Sequence, residues 1–295
     1  MSDLAVPVPA RGPWLTAALN AQSARPLART RPRAVVVERS GLPAGARREP
    51  ASGGGQGGPS ADGAALLSFR RRGVATAVTL LGAGPGVAPL PEGRPQGRLY
   101  ARDDDVARHL AEGVADLLDS LRGPWTLRLA GLPLGDPTVR HLSALMPDST
   151  VSTQRNRRLV DELDTVRGVA VSPVLRTRDP AEMERWLPGL LARVPADRRV
   201  PLRALVRLLG AVGELELAVV PAGGEPTAAL LTLLDRTPET EDRWPWWGFS
   251  DVGGLRRELG APSVALTAAA GLAQLGRSGA ARGRGAGLSR GTAGG

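Results

Sequence analysis

The chain of 295 residues has no cysteine, no lysine and no isoleucine. Without cysteine there is no thiol nucleophile, no disulfide and no thiolate metal site. Without lysine there is no Schiff-base chemistry, and no Walker-type loop whose lysine reaches nucleotide phosphates. Histidine is almost missing, with only His109 and His141, so a histidine-rich metal centre is excluded. Nine aromatics, six of them Trp, require an aliphatic core. The longest uncharged run, residues 73–91, is broken by Gly and Pro and opens with strand-like alternation. It is not expected to span a bilayer. Residues 1–14 lack a basic start followed by an apolar stretch, so no secretory signal is expected. The default expectation is a soluble cytoplasmic protein.

Arginine supplies all 38 basic residues against 29 acids, for a net charge of +9. That excess suggests an anionic partner until it is located. Residues 1–60 hold eight Arg and three acids, and residues 271–295 hold four Arg and no acid. Between them, 26 Arg balance 26 acids. The body is neutral, so a basic nucleic-acid-binding face is not expected there.

Composition and periodicity divide the chain. Residues 1–13 read as an unstructured start, 41–63 as a Gly/Pro-rich flexible insertion and 271–295 as an Arg/Gly tail. Short aliphatic runs at 33–39, 64–70 and 74–81 read as strands. A helix follows, capped by Asp103 or Asp104, with Val106, Leu110, Val114, Leu117, Leu118 and Leu121 as its stripe. Residues 125–130 alternate strictly and predict a strand. Asp136-Pro137 opens a short helix to Leu145. Strands are expected at 158–163 and 169–175. Asp179-Pro180 with Glu182 starts a helix that Pro188 should kink. A helix at 202–209 and strands at 214–220, 227–234, 243–249 and 263–267 complete the reading, with a hairpin turn at 223–226.

Single motifs are weak. Gly82-Ala83-Gly84-Pro85-Gly86 follows a strand, but the prolines after it deny the helix that a dinucleotide loop needs, so a plain loop is expected. Gly248-Phe249-Ser250-Asp251-Val252 lacks the closing Gly of a nucleophile elbow. Asp103-Asp104-Asp105 is explained by helix capping, and Trp244, Trp246 and Trp247 by core filling.

The order of elements carries more. Residues 213–220, 224–231 and 246–251 resemble the second, third and fourth strands of the GCN5-related N-acetyltransferase (GNAT) superfamily. The first half resembles a degenerate copy of the same fold. Two such lobes are similar to acetyltransferase-like proteins of the cellulose-biosynthesis type and to the aminoacyl-transferring Fem group. The resemblance implies an α/β fold with two GNAT-like lobes, mixed sheets flanked by helices, and a shortened second lobe. The lobes would run over residues 14–175 and 176–270.

In that family a loop of the form Gln/Arg-x-x-Gly-x-Gly/Ala and the helix after it hold the acyl-CoA pyrophosphate. The matching stretch is 250–255, so Ser250, Gly253, Gly254 and Arg256 are the implied cofactor-binding residues. A helix is implied at Leu255–Leu259, beside strands 227–234 and 243–249 splayed apart to take the pantetheine. The resemblance implies an acyl-CoA-dependent N-acyltransferase with acetyl-CoA or another acyl-CoA as co-substrate and no metal. A carboxylate or water would deprotonate a small-molecule or amine acceptor, which attacks the thioester. The alternative is a catalytically inactive relative acting as a binding or scaffold protein. Nucleic-acid binding through the Arg-rich ends is a third reading.

Overall fold

The computed structural model describes residues 7–23, 30–38, 61–83, 87–97, 99–166, 173–236 and 240–271. The expected insertion at 41–63 and tail at 271–295 lie almost wholly outside the described residues. The start does not. Pro7 to Ala10 form a 3-10 turn in which Val8 is fully buried. Its amide donates to Asp235 Oδ1 at 2.9 Å. Arg11 bridges Glu214 at 2.7 Å and Asp235 at 3.1 Å. Residues 7–13 are therefore ordered, because a buried Val and two ion pairs offset the entropy of fixing them.

Helix α1 spans Gly12–Ser23 and buries Trp14, Ala18 and Gln22. Strands β1 (Thr30–Val37), β2 (Gly63–Arg72) and β3 (Ala75–Leu80) follow the expected aliphatic runs. Strand β4 (Leu99–Ala101) is a short addition. Helix α2 (Asp104–Asp119) is capped by Asp103, whose carboxylate accepts from the Val106 amide. Strand β5 (Trp125–Leu132) leads to α3 (Pro137–Leu145), capped by Asp136. Strand β6 runs over Thr150–Asp161, eight residues earlier than expected. Its first nine residues are exposed and, Val151 apart, polar, so they carry no apolar period to betray a strand.

The second half holds β7 (Leu175–Thr177), α4 (Pro180–Ala192), α5 (Ala196–Ala211), β8 (Leu215–Ala222), β9 (Glu225–Arg236) and β10 (Glu241–Ser250). The last strand, β11, is continuous over Leu255–Ala270. This corrects the helix expected at Leu255–Leu259. Leu255 to Leu259 pair antiparallel with Asp161 to Arg157, so their backbone groups serve a sheet.

Two sheets result. The larger has the order β1-β2-β3-β5-β11-β6, with β4 on β2; the smaller, antiparallel, has the order β10-β9-β8-β7. The architecture is mixed α/β, with one mixed sheet flanked by helices. One pair in the larger sheet is parallel: Thr76–Thr79 beside Trp125–Arg128, joined by the crossover through α2. Strand β11 lies between β5 and β6 and puts Val264, Leu266 and Ala268 into the core under α2 and α3. The half expected at 176–270 thus gives its final strand to the other half's sheet. The second core lies between α4, α5 and the smaller sheet, and it includes Val8 and Trp14.

Candidate functional site

The parallel pair ends in a fork. Strand β3 stops at Leu80, where Ala83 N–H closes a turn onto the Leu80 carbonyl at 3.1 Å. Leu81 N–H stays with β2, bonding Leu66 O at 2.9 Å. Strand β5 continues to Leu132 but bulges. Leu129 pairs with Leu266 and Leu132 with Val264, so Ala130 and Gly131 stand opposite Ala265 alone. Gly131 takes φ +76°, which favours glycine at the bulge. Past Thr79 and Arg128 the two strands no longer pair.

A cavity of about 660 Å³ opens at this fork. Its walls follow from strand alternation. Leu67, Phe69, Val78, Leu127 and Leu129 face the helices. Ser68, Arg70, Thr79, Arg128, Gln154 and Asn156 therefore face the other way, into the cavity. Gln22 of α1 reaches in as well, with Ser68 Oγ donating to its Oε1 at 3.3 Å. Arg198 comes from α5 and Glu92 from the segment 87–97. The lining is rich in amides, hydroxyls and guanidiniums. Open α/β sheets bind ligands at the carboxyl ends of their parallel strands, and this cavity occupies that position.

Of the plain loop expected at 82–86, residues 84–86 lie outside the described residues, and the segment after it, 87–97, ties the two sheets together. Trp244 Nε1 donates to Glu92 O at 3.1 Å and Trp246 Nε1 to Pro89 O at 2.8 Å. On the larger sheet, Gln96 N–H bonds Gly131 O at 2.7 Å and Ala261 N–H bonds Gly93 O at 2.8 Å. Gln96 is buried and returns its side-chain amide to Pro91 O at 2.9 Å. Trp244 and Trp246 are core residues, the latter edge-on to Trp14 at 5.2 Å. Their N–H groups still have a task, holding this segment where it shapes the cavity wall.

The implied site at 250–256 is built differently from its expectation. Strands β9 and β10 stay paired to Ser250 opposite Ala228, with one irregularity near Pro245, so they do not splay. Ser250 Oγ donates to Gly253 O and accepts from Val252 N–H at 3.2 Å. Gly254 O accepts from Glu162 N–H at 2.8 Å. A Cβ on Gly254 would come within 2.4 Å of Val166 Cγ2. Arg256 bridges Glu162 at 2.6 Å and Glu258 at 3.0 Å. The four residues flank and form the turn between β10 and β11, and Gly254 and Arg256 hold it against 162–166.

The acidic start of α2 is structural. Asp103 caps, Asp104 pairs with Arg140 and with His141 at 3.1 Å, and Asp105 pairs with Arg108 at 2.7 Å. The hydrogen bond from His141, aided by Arg140, holds the Asp104 carboxyl below its ordinary range. Three carboxylates at a helix start oppose a phosphate there. Among the described residues no group of three His, Asp or Glu is placed to hold a metal ion. No described helix is long and apolar enough to cross a membrane.

No family model matches the chain. No curated protein matches it either. Several solved structures are similar to it in part. A conserved protein of unknown function from Bacteroides thetaiotaomicron is 11% identical, with 86% of this chain and 90% of that one covered and a TM-score of 0.41. FemX is 11% identical at a TM-score of 0.37; 77% of this chain aligns with 53% of FemX, so the match spans about half of that protein. A GCN5-related N-acetyltransferase from Kribbella flavida is 14% identical over 91% of this chain and 98% of that one, at a TM-score of 0.29. These likenesses are too slight to carry an argument.

Proposed function

We propose that the fork cavity is the ligand site and that the protein transfers an acyl group there from a thioester carrier to an amine. The observation that supports this is the parallel pair β3/β5 parting at a bulge beside a cavity lined by both apolar and hydrogen-bonding side chains. A splayed strand pair is what the sequence resemblance implies for holding pantetheine, and here it lies between β3 and β5 rather than β9 and β10. An extended amide chain can pair with strand edges of that kind. Arg70 and Arg128 offer donors to its anionic groups. Because Asp103 to Asp105 occupy the start of α2, phosphates would be held by guanidiniums rather than by helix amides.

Among the described residues, Glu92 is the one carboxylate that lines the cavity. It is exposed, and it pairs loosely with Arg257 at 3.6 Å. In this reading it accepts the proton of the attacking amine. The amine nitrogen bonds to the acyl carbon, the carbon–sulfur bond breaks, and the leaving thiolate takes up the proton that Glu92 accepted, so the carrier is released as a thiol.

A second reading is favoured by the same lining. With no His or Tyr and one exposed carboxylate, the cavity would bind its ligand without turning it over. Titration with acetyl-CoA separates the two. A ligand at about a hundredfold excess over its Kd stabilises by about 2.7 kcal/mol, which a melting curve resolves. Transfer additionally predicts thiol release with an amine present, lowered about a hundredfold or more by Glu92→Gln. A melting shift without thiol release supports binding alone. No shift at millimolar ligand contradicts both.

A further inference from the structure

A second cavity, of about 510 Å³, lies between the edge of the larger sheet and the smaller sheet, apart from the fork lining. Four guanidiniums line it, those of Arg94, Arg158, Arg176 and Arg243, against two carboxylates, Asp161 and Asp164. Acids mostly outside the lining hold these guanidiniums in place. Arg94 pairs with Asp242 at 3.2 Å, Arg158 with Glu258, and Arg243 with the buried Glu216. Arg176 pairs with Asp161 at 2.9 Å and with Asp164 at 2.5 Å.

Thr232 also lines the cavity. It is 1% exposed, and its hydroxyl has no hydrogen-bond partner. A buried hydroxyl left unbonded destabilises a fold, so its retention needs a reason. It sits on β9 opposite Pro245, at the irregularity of β10, where proline offers no N–H. A valine would fill the same space without an orphaned donor.

We propose that this cavity binds a small organic oxyanion, carboxylate or phosphate, which accepts from the guanidiniums and from the Thr232 hydroxyl. Several fixed guanidiniums facing one space match oxyanion geometry, since their N–H forks are planar and pre-oriented. The orphan hydroxyl is the group that such a ligand satisfies. This inference stands apart from acyl transfer at the fork and does not depend on it.

Calorimetry of the full chain with citrate and with inorganic phosphate tests it. The expected result is saturable binding of at least one anion with a Kd of about 1 mM or tighter. The stronger anion identifies the ligand's charged group. Thr232→Val is expected to weaken binding about tenfold, the usual effect of one lost bond to a charged group, while raising the melting temperature. Arg158→Gln, on an edge strand, is expected to weaken binding as much without loss of fold. Binding that neither substitution changes overturns the proposal, as does its absence at about 10 mM of both anions. Binding lost on Arg128→Gln instead would place the anion in the fork and also overturn it.

Discussion

At the scale of the residue, the missing lysine and cysteine leave arginine as the carrier of nearly all positive charge, and its positions organise the interior. Glu216 is the clearest case. It is 4% exposed and held by Arg243 at 3.0 Å, Arg178 at 3.2 Å and Arg176 at 3.5 Å. Burial disfavours its ionised form, but bonds and charge from Arg243 and Arg178 outweigh burial and hold its carboxyl below the ordinary 4.5. A depressed carboxyl contributes stability that is present above its unfolded pKa and lost as pH falls through the folded value. Glu216→Gln is therefore expected to cost about 1–3 kcal/mol at neutral pH and to flatten the loss of stability below the ordinary carboxylate range. Denaturant melts from neutral to acid pH check both parts, and an unchanged acid limb would contradict the assignment. Nothing in sequence singled out Glu216, which sits inside a run read as a plain strand. Its burial depends on which face of β8 meets the larger sheet, a tertiary fact. By contrast, the caps at Asp103, Asp136 and Asp179 were legible, because each bonds an amide within three residues.

At the scale of the element, aliphatic runs and caps predicted most strands and helices, since those signals are local. What failed was partnership. Strand β6 is half hidden in the sequence, because Thr150 to Arg157 are exposed and polar except for Val151. Strand β11 was divided into a helix and a short strand, because Gly260 and Pro262 interrupt its pattern. Yet the chain stays extended through them, and Gly260 lies against Gly93, where a Cβ would meet that backbone within 2.4 Å. The resemblance points to 250–256 through the order of strands along the chain, whereas the parallel pair joins Thr76–Thr79 to Trp125–Arg128 in the first half. The polar faces of β2, β3 and β5 are legible as the alternation around Arg70 and Arg128, which line the fork cavity. Because β11 is an inner strand that pairs on both sides, a chain ending at residue 254 is expected not to fold its first half. Core residues such as Leu127 and Leu129 would lose the packing that Leu266 and its strand supply. Circular dichroism melting of the truncated chain tests this, and a cooperative transition for the larger sheet would show that the halves fold separately.

At the scale of the molecule, charge and shape separate. The net +9 comes from the two ends. The described body is instead laced by Arg–carboxylate pairs around the space between its sheets. Segment 87–97 joins those sheets through two indole N–H groups on one side and two backbone bonds on the other. It also supplies Glu92 to the fork cavity and Arg94 to the cavity between the sheets. A proline-rich stretch of this kind has no period and reads as a loop; its role is visible only from what it touches. In the proposed function the ligand sits in the fork between β3 and β5 and not at the turn 250–256. Hydrogen exchange with and without saturating acetyl-CoA tests it most directly. The account predicts slowed exchange in 79–83 and 128–132, with the amides of 250–256 unchanged. Protection centred on 250–256, or none anywhere, would contradict it.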